Sequence, residues 1–351
     1  MSSKFKLICL KFSSVAIFLL IVQAAFTQQN FNDLASAIQA RQKLLGEDLV
    51  VLITNKDSVV FQKEYGQFNA KTQAPIASCS KWLTAALIMQ FVDEGKLSLD
   101  DKVTKWLPEF ERYNKNYITI GHCLSHLTGI QSEQMKLLSL LQRRKYNTLE
   151  EEVNDFAAKE IDANPGTEFR YSNIGLNIAA RVVEVITKRK FDAVIKQRLL
   201  IPLLMTHTTF ATIDLTAPNP SGGAKSTAND YSHFLQMLLN NGMYNGKRIL
   251  SEAAVKQLRT VATQPQLIKY APKAAEGFMY ASGSWVLEED KTGKEALALA
   301  SPGLFGTWPM VDFCRGYTCI FFVKNLLGEQ RADAYMEIKK LIDTHFKQVC
   351  N

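Results

Sequence analysis

The sequence predicts an α+β fold: one antiparallel sheet built from both ends of the chain, flanked by helices, with an inserted, mainly helical lobe. Three observations lead there. β-rich runs lie near the N-terminus, further ones return only after about residue 275, and the stretch between them shows spacings of three and four instead of alternation.

Taken in order, Phe31 to Leu45 reads as a helix. Leu49 to Thr54 and Ser58 to Gly66 are rich in Val, Ile and Phe and flank the turn-forming trio Asn55-Lys56-Asp57, which makes a hairpin. From Ser78 the pattern turns helical: Trp82, Ala85, Ala86, Met89 and Phe91 share a face, and Gly95 is the expected C-cap. The region from about Asp100 to Leu250 reads as mostly helical, punctuated by Pro108, Gly129, Pro165-Gly166, Pro202 and the run Pro218 to Gly223. Strands are expected at Ser282 to Leu287, Ala296 to Ser301 and Thr318 to Val323, and a closing helix from Arg331 to Val349. No repeat, heptad run or low-complexity tract interrupts this plan.

With 351 residues, 47% of them apolar, the chain can bury a large core without metals or disulfides. Residues 1–27 read as a secretory signal: Lys4, Lys6 and Lys11 precede the apolar run Val15 to Val22, and the small pair Ala24-Ala25 follows. A membrane anchor is the competing reading, but Phe12 to Phe26 is shorter than the ~20 residues of a span. Removing the segment takes away three lysines and no acids, so the formal charge falls from +7 to +4. That balance, with Arg143-Arg144-Lys145 and Lys188-Arg189-Lys190 as its longest basic clusters, does not argue for nucleic acid.

Five cysteines remain after residue 27: Cys79, Cys123, Cys314, Cys319 and Cys350. An odd count leaves at least one thiol unpaired. Cys314 and Cys319 flank Arg315 to Thr318, so either a short bridge crosses that turn or both are small core residues. No CxxC occurs, and no Cys/His cluster has structural-zinc spacing. His122 and His126 stand i, i+4 on an expected helix, yet no acid lies between them and no third ligand is apparent, so no metal or other cofactor is expected.

The chemistry concentrates in Ser78-Cys79-Ser80-Lys81 and Tyr171-Ser172-Asn173. A helix places residues i and i+3 on one face, so Lys81 can reach the Ser78 hydroxyl. A serine is a poor nucleophile until a base takes its proton, and a lysine serves only when burial or nearby charge eases its deprotonation. Ser78 at a helix N-terminus also brings unpaired N–H groups to any oxygen bound there. The spacing alone is weak, since a second SxxK, Ser3 to Lys6, lies within the signal segment, whereas Tyr-x-Asn occurs once. Cys79 projects about 100° away from Ser78 and is expected in the core.

Together with Gly95 to Val103, Ile118 to Ile130, Pro165-Gly166 and Gly222-Gly223 through Asp230, these residues resemble the serine β-lactamase and penicillin-binding-protein superfamily. The likeness is nearest to its class C-like branch of β-lactamase-related serine hydrolases and esterases. It spans about Phe31 to Phe346 and implies a β-lactamase/transpeptidase-like fold. By that resemblance Ser78 is the acylated nucleophile, Lys81 and Tyr171 share proton transfer, and Asn173 orients substrate or Lys81. The family's third motif, a Lys-Thr-Gly or His-x-Gly triplet, has its best counterpart in Ser301-Pro302-Gly303, with Leu304 and Ser78 supplying the oxyanion-hole N–H groups. No cation stands at position 301, which weakens recognition of a substrate carboxylate and leaves room for esters or uncharged amides.

The expected organisation is a signal segment at 1–27 and one catalytic domain at 28–351, with 28–77 and about 275–351 as an α/β lobe and about 78–274 as the helical lobe. The expected activity is a metal-independent, exported serine hydrolase, secreted or periplasmic, acting through an acyl-enzyme on a small-molecule or peptide ester or amide. The membrane is met only through the signal segment if that stays uncleaved. The alternatives are a D-amino-acid peptidase or carboxypeptidase, a β-lactamase, or a non-catalytic binding protein on the same fold.

Overall fold

The computed structural model describes residues 31–132, 146–326 and 328–350; the expected signal at 1–27 and the cluster Arg143-Arg144-Lys145 lie outside them. Six longer helices organise the chain: α1 (Asn32–Leu45), α2 (Ser80–Asp93), α3 (Leu149–Ala158), α4 (Ile174–Thr187), α5 (Ala228–Leu239) and α6 (Ala332–Thr344). The main sheet has seven strands: β1 (Leu49–Thr54), β2 (Val59–Tyr65), β3 (Met279–Tyr280), β4 (Trp285–Glu289), β5 (Ala296–Ala300), β6 (Trp308–Asp312) and β7 (Tyr317–Val323). Their spatial order is β2-β1-β7-β6-β5-β4-β3, and every pairing is antiparallel.

Two chain ends therefore meet at the centre of the sheet. Leu49 pairs with Val323 and Thr54 with Thr318, the latter bridged by a buried hydroxyl pair at 2.7 Å. Because side chains alternate along a strand, β1 feeds two cores at once. Val50 and Leu52 join the large core shared with α2, α4 and α5, while Leu49, Val51 and Ile53 join a second one with α1 and α6. The α+β plan is thus realised as a sheet covered by helices on both faces.

Local chemistry explains the elements. The hairpin turn is fixed by the Asn55 side chain, whose Oδ1 accepts from the amides of Asp57 and Ser58. Gly95 ends α2 with φ +65° in a Schellman arrangement, in which Gly95 N–H donates to Val92 and Lys96 N–H to Phe91.

Several boundaries differ from expectation. β6 was not anticipated, because Pro309 counts against a central strand; its carbonyl nevertheless accepts from the Ser301 amide at 3.2 Å. The closing helix stops at Thr344 instead of Val349. Beyond it the tail runs back to β6, where Val349 N–H donates to Cys314 and a disulfide joins Cys314 to Cys350 with their Cα atoms 5.0 Å apart. A Cys314–Cys319 bridge is therefore excluded: Cys319 lies inside β7 opposite Met310 and faces the core, whereas Cys314 lies in the turn. Cys79, Cys123 and Cys319 are buried and lie outside that disulfide.

A buried ionic cluster anchors α6. Lys339, 1% exposed, donates to Glu288, Asp312 and Asp343, and Arg315 pairs with Glu288 and Asp312. The three carboxylates lie close enough together to hold a metal ion, but the lysine and arginine already occupy the space between them and offset two of the three charges.

Candidate active site

Ser78 sits in a one-turn 3₁₀ helix, Ala77–Cys79, that runs directly into α2. Ala77 holds φ at +43°, a conformation a non-glycine residue adopts only under outside constraint. The constraint is visible. The segment 220–226 straps over this turn: Ala224 accepts from Ile76 N–H and donates to Ser80 Oγ, and Ala74-Pro75 pairs with Lys225-Ser226.

Lys81 is fully buried at the second position of α2. Its ammonium spends its three donors on Ser78 Oγ at 3.3 Å, Asn173 Oδ1 at 3.0 Å and the Ser221 carbonyl at 2.9 Å. The same nitrogen lies 4.7 Å from the centroid of the Tyr171 ring. Ser78, Lys81, Tyr171 and Asn173, distant in sequence, are therefore one cluster. Asn173 occupies the N-cap position of α4 yet its side chain caps nothing, because its oxygen is committed to Lys81. That choice gives up helix stability for a polar contact at the amine.

The predicted oxyanion side is also adjacent. Gly303 packs so closely against the nucleophile turn that an added Cβ would lie 2.3 Å from the Ile76 carbonyl oxygen and 3.0 Å from Cys79 Sγ. Glycine is required there for close approach. Among the described residues no main-chain carbonyl accepts from the amides of Ser78 or Leu304, which suits two donors held ready for a substrate oxygen. Ser301 is buried, and its hydroxyl lies 3.4 Å from the carbonyls of Ser78 and Gly283, bracing main chain on both sides.

Behind Tyr171 stands an aromatic cluster of Phe169, Tyr280 and Trp285 around His126. The expected helix through His122 and His126 ends at Leu124, and His126 follows with φ +57°. His122 instead completes a capping box with Thr119. The two histidines are thus separated by role, and neither belongs to a metal-binding group among the described residues. Burial first, and the Lys81 charge second, hold the His126 pKa well below the ordinary histidine value. Neutral His126 accepts the Ser172 amide at Nδ1, 3.4 Å, which leaves Nε2 to donate to Tyr280 Oη at 3.1 Å.

Cys79 is buried as expected, its thiol 3.5 Å from the Thr307 carbonyl. Sequence reasoning missed Ser221, Asn177 and the placement of His126. The polar Asn177 in the otherwise apolar first turns of α4 was the available signal. A separate cavity of about 640 Å³, bordered by Trp106, Arg181, Glu184, Lys188 and Asp192, is lined by none of the four clustered residues.

Comparison with known proteins agrees with this fold. A candidate β-lactamase from Bacteroides dorei DSM 17855 superposes with a TM-score of 0.78 at 28% identity, covering 89% of this chain and 98% of that one. A hydrolase with promiscuous acyltransferase activity, EstCE1, shares the fold with a TM-score of 0.73 at 20% identity, covering 88% and 98%. Among curated relatives, Protein flp of Staphylococcus aureus is 32% identical over 171 residues, 46% of this chain and 34% of that protein. Penicillin-binding protein 4 of Amycolatopsis lactamdurans is 31% identical over 213 residues, 52% and 55%. The matched stretch thus spans from a third to about half of these relatives' length. Residues 31–341 match the sequence model of the family described as Beta-lactamase, and the chain belongs to that family.

Proposed function

We propose that the chain is a serine hydrolase that forms an acyl-enzyme on Ser78 with a small, uncharged ester or amide. The observation that carries the reading is the buried Lys81 amine, 3.3 Å from Ser78 Oγ and held by Asn173. In its neutral form that amine takes the Ser78 proton, helped by Tyr171, as Oγ bonds to the substrate carbonyl carbon. Amides of Ser78 and Leu304 receive the oxyanion. Its collapse breaks the bond to the leaving alcohol or amine, which takes up the proton, and water then releases the acid by the reverse proton route.

Serine in place of a cation at position 301 supports an uncharged substrate, as does the hydroxyl's commitment to main-chain carbonyls. Export from the cytoplasm is part of the same proposal. It draws support from the pattern of residues 1–27 and from the Cys314–Cys350 disulfide, which persists in oxidising compartments.

The test is labelling with a fluorescent fluorophosphonate, followed by peptide mass spectrometry. An adduct on Ser78, lost in Ser78→Ala together with hydrolysis of short acyl esters, is the expected result. An adduct elsewhere, or unchanged hydrolysis in Ser78→Ala, defeats the proposal.

A further inference from the structure

We propose that Asn177 is a positioning residue for Lys81, acting through the main chain of Ser221; the inference rests on the serine-hydrolase reading. Lys81 is held by two side chains and one backbone carbonyl, and the carbonyl belongs to a loop residue that the motif itself touches only through the Asn173 carbonyl. Asn177 fixes it. One turn beyond Asn173 on α4, it points its Oδ1 at both the Ser221 amide, 3.1 Å, and the Ser221 hydroxyl, 2.7 Å. The Ser221 hydroxyl also lies 2.9 Å from the Asn173 carbonyl, so its single proton is shared between two acceptors on the same helix.

The asparagine is itself held. Its Nδ2 donates to Glu152 Oε2 at 3.0 Å, from α3, and Asn177, Ser221 and Glu152 are all buried, with at most 2% exposure. A chain of contacts therefore runs from the Glu152 carboxylate through the Asn177 amide and the Ser221 peptide to the Lys81 amine. Each link polarises the next among buried groups. Two features of the loop show that its placement is set here. Thr84 Oγ1 donates to Pro220 at 2.7 Å, and Asn219 accepts from both Gly222 and Gly223, so the turn is braced internally and docks on α2 through the Pro220 carbonyl and the Ala224 amide, which donates to Ser80 Oγ. Asn177 supplies the contact from α4 that orients it about Lys81, sharing the Ser221 amide with Asn219 Oδ1 at 3.3 Å within the loop.

The consequence concerns the amine's direction and its protonation. A carbonyl dipole aimed at Nζ favours the ammonium, and it also selects which N–H faces Ser78. Asn177→Leu removes the clamp while keeping volume. Asn177→Asp keeps the acceptor but loses the donor to Glu152 and adds a negative charge. The ionisable groups facing Lys81 are Tyr171 and His126, with Glu152 behind Asn177.

The experiment measures kcat, KM and the pH dependence of kcat/KM on a short acyl ester for wild type, Asn177→Leu, Asn177→Asp, Ser221→Ala and Ser78→Ala. Active sites are counted by fluorophosphonate labelling and folding is checked by thermal melting. For Asn177→Leu, kcat per labelled site is expected to fall at least about tenfold with KM within about threefold, because a small misplacement of a catalytic group acts on the chemical step. Its acidic limb should move to lower pH, and that of Asn177→Asp to higher pH. A merely structural role would lower the melting temperature and the number of labelled sites while leaving kcat per site and the limb at wild-type values, and that outcome overturns the inference. If Asn177→Leu does not fold, the decision falls to Asn177→Asp and Ser221→Ala; wild-type kinetics in both overturn it equally. A Ser78→Ala enzyme that still hydrolyses the ester would instead bring down the underlying reading, whatever the Asn177 variants do.

Discussion

The imidazole of His126 lies against the phenol of Tyr171, ring centroids 4.6 Å apart, with the Ser172 amide turned onto its Nδ1. An uncharged, fully buried base thus backs the ring that touches Lys81. Protonation would place a second cation beside the Lys81 amine and take away the lone pair that holds Ser172.

Stability is therefore expected to fall on acidification. His126 refuses a proton that the unfolded chain accepts below about 6.5, so below that pH the unfolded state binds more protons and the unfolding free energy rises with pH. The contribution is complete above pH 6.5 and is lost progressively as pH falls below it, until His126 itself takes up the proton in the folded state. His122 and His233 are lowered in the same direction, both first by burial. Urea denaturation at pH 5.5, 6.5 and 7.5 should show His126→Gln with a slope shallower by up to about 1.4 kcal/mol per pH unit. An identical slope in both proteins contradicts the assignment.

Replacing Lys81 with methionine separates activity from stability. The proton-transfer role predicts a loss of about 10²- to 10⁴-fold in kcat. Removing a buried charge in favour of an apolar side chain of similar length predicts a melting temperature equal to or above that of the wild type. Loss of both together would mean that the amine is chiefly structural.

At Gly303 the structure leaves no room for a methyl group. Gly303→Ala must push the Leu304 amide away from the nucleophile turn, and loss of one oxyanion donor costs about 3 kcal/mol of transition-state stabilisation. Hydrolysis should drop by at least about a hundredfold with the fluorophosphonate adduct forming correspondingly slowly. Native rates in a folded Gly303→Ala would remove the Ser301 to Leu304 segment from the site.

Lys339 tests the other end of the molecule. Lys339→Met leaves Glu288, Asp312 and Asp343 facing one another with only Arg315 to offset them, and breaking such a buried cluster costs about 3–5 kcal/mol. Chemical denaturation at neutral pH should show that loss. A change below about 1 kcal/mol would show that water reaches the cluster.

The sequence revealed the parts of this protein that depend on local pattern. β-rich runs located β1, β2, β5 and β7, and the Ser78-to-Lys81 and Tyr171-to-Asn173 spacings located side chains that the fold does bring to one amine. What escaped depends on tertiary context. Pro309 masked β6, since a proline is tolerated when its neighbours supply the remaining ladder bonds. Cys314 found Cys350 because the tail folds back along β6, a path no spacing rule encodes. The third partner of Lys81 is a peptide carbonyl, and a carbonyl has no residue-type signature, so only Asn177 could have hinted at it.

The pairing of β1 with β7 also sets a timetable. Val50 waits for Phe322 and Leu52 for Ile320, so the central ladder cannot close until nearly the whole chain is available. Gly303, which presses on the turn that carries Ser78, belongs to that same late C-terminal part. The helix turn that carries Ser78 is made early but the Gly303 segment packed against it arrives last, so a partly synthesised chain carries Ser78 without that wall.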